Sequence, residues 1–122
     1  MRRGLAPFKD DGYIYELTAP ASPLPASTDV TLTLSVRRAD GGAVQLQPVM
    51  GTLAHLVAFE DGPHGVAHLH PTLSGNEHNA VRPEMSFIIN LAEPGRYRVW
   101  GQVKIGDRER FMPFDIEVAK SS

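Results

Sequence analysis

The sequence contains no cysteine, which removes a disulfide framework, a thiolate metal site and a cysteine nucleophile together. Packing and hydrogen bonding must therefore hold the fold. Neither sign of charge is in excess, because twelve basic residues against fourteen acidic ones leave a formal charge of −2. That balance gives no electrostatic reason to bind nucleic acid or an anionic membrane. No apolar run reaches transmembrane length, and no amphipathic helical pattern of useful length occurs. Arg2-Arg3 has the charge of a signal-peptide start, but Gly4-Leu5-Ala6-Pro7-Phe8-Lys9 puts no apolar stretch behind it, so no secretory signal is read. A Gly-x-Ser-x-Gly elbow and a phosphate-cradling glycine loop are also missing.

What is present is a period of two. Val30-Thr31-Leu32-Thr33-Leu34-Ser35-Val36 alternates apolar with hydroxyl side chains, the pattern of a half-buried strand. Tyr97, Val99, Gly101 and Val103 alternate with Arg98, Trp100, Gln102 and Lys104. Gly106-Asp107 then turns the chain, and Met112, Phe114, Ile116 and Val118 share one face of a closing strand. Trp100 falls on the outer face, either covering an edge or offering a contact surface. Further strands are expected at 12–17, 43–46, 53–59, 64–70 and 85–90, punctuated by Gly, Pro and Asp. Prolines 20, 23 and 25 mark 19–27 as a connecting loop.

The expectation is a single all-β domain over 12–118, an antiparallel sandwich of seven to eight strands. Residues 1–11 form a flexible lead-in and 119–122 a tail. Leu32, Leu34, Val36, Tyr97, Val99, Phe114 and Ile116 are the expected core.

Of the five histidines, His68-Leu69-His70 puts two imidazoles on one face of a strand, about 6.5–7 Å apart. If Asp61-Gly62 is a two-residue hairpin turn, Val57 faces Val66 and His55 faces His68, with His70 one step along. Three imidazoles then converge, a donor set suited to copper or zinc. Met50 would add a thioether that favours copper. Neutral imidazole is the binding form, so affinity should fall in acid. His64 and His78 are read as solvated. The plainer alternative is a polar patch on a structural or protein-interaction sandwich. A tris-histidine zinc enzyme is a further alternative, but no general base can be assigned beside the cluster.

From Tyr13 to Val118 the chain resembles a family of bacterial exported sandwich domains found in proteins of copper or heavy-metal handling. The resemblance lies in Leu46-Gln47-Pro48-Val49-Met50-Gly51, His55-Leu56-Val57, His68-Leu69-His70-Pro71 and Pro94-Gly95-Arg96-Tyr97-Arg98-Val99-Trp100. It implies an immunoglobulin- or cupredoxin-like fold and a periplasmic or extracellular location, with the export signal outside this chain. A cytoplasmic location is the alternative. It also implies a non-enzymatic metal role on His55, His68 and His70, with a partner in metal handling. A blue-copper site is excluded, since it needs a cysteine.

Overall fold

A computed structural model of the chain describes residues 7–21, 23–48, 53–60, 66–72 and 77–120. Among these described residues are ten strands: β1 (Phe8–Asp10), β2 (Tyr13–Thr18), β3 (Leu24–Pro25), β4 (Val30–Arg38), β5 (Leu46–Gln47), β6 (His55–Glu60), β7 (Val66–Thr72), β8 (Glu84–Ile89), β9 (Gly95–Ile105) and β10 (Arg108–Ala119). The described residues contain no helix. Seven of the strands have six or more residues, which agrees with the sequence reading; β1, β3 and β5 are short additions.

The strands follow the order β1-β2-β4-β8-β7-β6-β9-β10-β3, with β5 also paired to β9. This path folds into two layers, because β7 belongs to both. Its Val66–Leu69 portion pairs with β6, and His70–Thr72 pairs with β8. Lettered A to G in chain order, the seven long strands give an A-B-E-D sheet packed on a C-F-G sheet. That is the immunoglobulin arrangement. The Tyr97 hydroxyl donates to the Glu93 carbonyl at 2.7 Å, forming the tyrosine corner found at the start of strand F in such domains.

Two tight turns set the register. Asp11 and Gly12 have φ of 52° and 81°, and Gly106 and Asp107 have φ of 58° and 68°. Positive φ at both central residues is the turn whose twist matches an antiparallel hairpin. The first turn makes part of the expected lead-in, Phe8–Asp10, into a strand that pairs with Tyr13–Tyr15. Inside the proline-rich connection, Leu24-Pro25 pairs in parallel with Val118 and Ala119 at the sheet edge, where a proline is tolerated. The short strand expected at 43–46 lies later, at Leu46–Gln47. β7 also continues through Pro71, because it has left β6 by then and is an edge on that side.

The core is the inner side of both sheets. Leu32, Leu34, Val36, Phe87, Val99, Val103 and Met112 are fully buried, and all seven expected core residues are buried. Each such side chain contributes about 1.5–3 kcal/mol of transfer free energy. Gly101 sits on this inner side opposite Met112. A Cβ there would come within 2.6 Å of the Met112 sulfur and 3.2 Å of a Leu56 methyl. Met112 thus fills the space that the missing side chain leaves.

Arg110 closes the open end of the sandwich. It lies 4.8 Å over the Tyr13 ring and donates to Asp11 at 2.9 Å, tying β10 to the β1–β2 turn. Nearby, the buried Tyr15 hydroxyl has no hydrogen-bond partner among the described residues. Burial pushes its pKa up to about 12, and the Arg110 charge pulls partly back.

Two outcomes follow for stability. Gly101→Ala should cost about 1–3 kcal/mol by overpacking, and Gly101→Ala with Met112→Ala should cost less than the sum of the two singles. Urea melts of the three variants measure both. As pH rises through 10 to 12, the unfolded chain loses the Tyr15 proton while the folded chain keeps it. Stability present below pH 10 should therefore fall by about 2–3 kcal/mol across that window. Tyr15→Phe should flatten the fall, as read by alkaline denaturation of both proteins.

A candidate binding face on the outer side of one sheet

Alternation fixes what the C-F-G sheet shows to solvent. In β9 the buried series Tyr97, Val99, Gly101, Val103 and Ile105 leaves Arg96, Arg98, Trp100, Gln102 and Lys104 pointing outward. In β10 the buried Met112, Phe114, Ile116 and Val118 leave Glu109, Phe111, Pro113, Asp115 and Glu117 outward. On β6, His55, Val57 and Phe59 alternate with the buried Leu56 and Ala58.

Pairing arranges these side chains in rows. His55 lies across from Gln102, and Gln102 from Phe111. Val57, Trp100 and Pro113 make the next row, and Phe59, Arg98 and Asp115 the one after. Phe59, Trp100 and Phe111 therefore run diagonally over three neighbouring strands. They are 41%, 38% and 55% exposed, and they are three of the five large exposed hydrophobics among the described residues. Half-buried Val57 and Pro113 flank the Trp100 ring, so the apolar surface is continuous.

Charge frames it in an ordered way. The outward ionisable residues of β9 are all cationic: Arg96, Arg98 and Lys104. Those of β10 are all anionic: Glu109, Asp115 and Glu117. Arg98 donates to both Asp115 oxygens, at 2.9 and 3.2 Å, and Gln102 donates to Glu109. The outer side of the other sheet differs, carrying Thr31, Thr33, Ser35 and Arg37 on β4 and Glu84, Ser86 and Ile88 on β8. A Thr33–Ser86 hydroxyl pair bridges its strands at 3.2 Å.

The predicted histidine register is corrected. Val57, not His55, is the partner of His68, and Phe59 is the partner of Val66. The pairing is two residues away from the one expected from an Asp61-Gly62 turn, and that turn lies outside the described residues. An even offset preserves strand parity, whereas an odd one would reverse it. His55 is half-buried at the start of β6. Met50, His64 and the side chains of His68 and His70 lie outside what is described, while His78 is exposed beyond β7. Among the described residues, no three His, Asp or Glu side chains gather as a metal site.

At the edge of the A-B-E-D sheet's outer face, a shallow open hollow is lined by Thr18, Pro20, Pro25, Thr28 and Thr33. Its one ionisable group, Asp29, accepts a hydrogen bond from Asn90 at 2.8 Å, leaving no acid–base pair there. Among the described residues, no helix is long and apolar enough to cross a membrane.

Residues 8–120 match a family model described as a domain of unknown function, DUF8832. No curated protein matches. Among solved structures, the chain is similar to the CARDB domain of a Pyrococcus furiosus protein, crystallised in complex with di-metal ions. Identity is 12% and the TM-score 0.48, with 100% of each chain covered.

Proposed function

We propose, for a chain that belongs to the DUF8832 family over residues 8–120, a non-catalytic immunoglobulin-like module that acts through the outer face of its C-F-G sheet. One observation carries this reading: Phe59, Trp100 and Phe111 are exposed together across adjacent strands. Scattered exposed apolar residues need no explanation, but a contiguous patch rimmed by charge is the mark of a contact surface. The outer side of the other sheet has no such row of aromatics, Ile88 being its one large exposed hydrophobic among the described residues.

If the patch serves contact and not folding, removing an aromatic from it costs little. Phe111→Thr keeps a strand-forming residue and should change stability by under about 1 kcal/mol. It should also lower binding of an environment-sensitive hydrophobic dye by the folded protein. A loss above about 2 kcal/mol in a urea melt would show Phe111 to be a packing residue, and the reading would fall.

A second reading keeps metal binding on His55, His68 and His70, with Met50 as a further ligand, in an envelope module for copper or zinc. The observation favouring it is that β6 and β7 are hydrogen-bonded neighbours with an even offset. The backbone of His68 thus lies one pairing step from that of Leu56, the neighbour of His55. Calorimetric titration of untagged protein with Cu(II) and Zn(II) tests it. One ion per chain should bind, more weakly in acid, with binding lost in His55→Ala and in His68→Ala/His70→Ala and kept in His78→Ala. Affinity no tighter than about millimolar would end this reading.

A further inference from the structure

We propose that the outer face of the C-F-G sheet is a self-association surface, on which two copies of the chain pack face to face about a twofold axis. The axis runs along the strands, between β9 and β10. This rests on the contact-face reading and names its partner.

The charge columns choose both the partner and the axis. Rotation about a line between β9 and β10 lays β9 of one copy over β10 of the other, with rows kept level. Arg96, Arg98 and Lys104 of one copy then meet Glu117, Asp115 and Glu109 of the second, and the reverse holds on the other side. A twofold axis across the strands would instead lay each strand on its own copy. It would bring Arg96 against Lys104 and Glu109 against Glu117. Of the two, only the first axis places opposite charges together, as an isologous interface requires of one surface.

The middle of the contact is apolar. Trp100 meets Pro113 of the second copy, and Gln102 meets Phe111. Phe59 and Val57, one strand away, lie at the rim. Arg98 and Asp115 already pair within the chain, yet their side chains are 52% and 70% exposed, so each can serve a second partner. Such pairs fix orientation more than affinity.

Edge-to-edge association is disfavoured by the same strand. Between its pairs with β9 and the short β3, β10 carries Pro113, which donates no hydrogen bond, and Asp115 and Glu117 beside it. Two strands about 4.8 Å apart and five outward rows long present roughly 300–350 Å² in projection. Counted on both copies that is about 600–700 Å², below the roughly 1,000 Å² of a stable interface, so the dimer is weak and transient.

The experiment is sedimentation equilibrium of the untagged chain and its charge variants from about 10 µM to about 1 mM, a range matched to weak affinity. The parent should pass from monomer to dimer. Arg98→Asp alone and Asp115→Arg alone should each stay monomeric, since each sets like charges across the axis. An equimolar mixture of the two variants should dimerise again. The carboxylate introduced at position 98 of one copy then faces the guanidinium introduced at position 115 of the other. Pairing within a chain cannot produce that rescue. Thermal melts confirm that both variants are folded, and Arg98→Gln with Asp115→Asn replaces either one that is not. That pair should weaken association without rescue on mixing. A parent that stays monomeric to about 1 mM, or a mixture of the two charge-reversal variants without rescue, overturns the dimer. If Phe111→Thr still lowers dye binding in that case, the contact face stands without self-association. If Phe111→Thr unfolds the protein, the contact-face reading itself has failed.

Discussion

The two-residue turn at Gly106-Asp107 is the constraint on which the rest of this structure depends. It holds β9 and β10 in one register over eleven pairs, from Arg108–Ile105 to Val118–Gly95. Side chains alternate strictly along a strand, so that register decides at once what is buried and what is displayed. A slip of one residue would turn one strand over against the other, burying Arg98 and Trp100 and exposing Val99 if it were β9, or burying Asp115 and exposing Phe114 and Ile116 if it were β10. The core and the outer face are therefore two sides of one specification. The tolerance of Gly106 and Asp107 for positive φ secures it.

Joining the two layers falls to a few contacts, since no disulfide does so. β7 passes from one sheet to the other, β3 fastens the edge of β10, and Arg110 ties β10 to the β1–β2 turn. The contact between Gly101 and Met112 lets the F and G strands press closely on Leu56. With the interior held in this way, the outer faces are free to differ. One carries hydroxyl and charged side chains with Ile88, the other aromatics spread over three strands, two of which bear columns of opposite charge. Interior packing does not require that difference, which is why it reads as function.

Much of the fold is legible in the sequence because it depends on local signals. Period-two alternation locates the long strands and all seven expected core residues, and Gly106-Asp107 stands out as a turn. The errors also arise from local signals. Asp11-Gly12 is a genuine two-residue hairpin turn, yet it lies in a stretch that reads as a lead-in. Asp61-Gly62 has the same two residues and implies a register that differs by two from the one formed. An Asp-Gly pair reports the local preference for positive φ, not the number of residues in the loop. The binding face is half visible. Trp100 stands out as an outward residue, but Phe59 joins it only through pairing between β6 and β9, forty-one positions apart in the sequence.

His55 and Phe59 share β6, whereas His68 and His70 lie on β7, which carries the chain into the other sheet. Metal binding would be centred on β6 and β7, whereas self-association is centred on β9 and β10. His55 and Phe111 occupy the same row with Gln102 between them, so two strand spacings, about 10 Å, separate their backbones. At that distance, changes to one site should add to changes at the other unless a shared partner couples them. Gln102 stands between His55 and Phe111 in their row, and in the next row Trp100 neighbours Val57 on the histidine side and Pro113 on the dimer side. As the sole tryptophan, it also reports on both. If ions and concentration perturb its fluorescence independently, the face carries two separable properties. If one perturbation abolishes the other, the histidine strands and the charged columns form a single site.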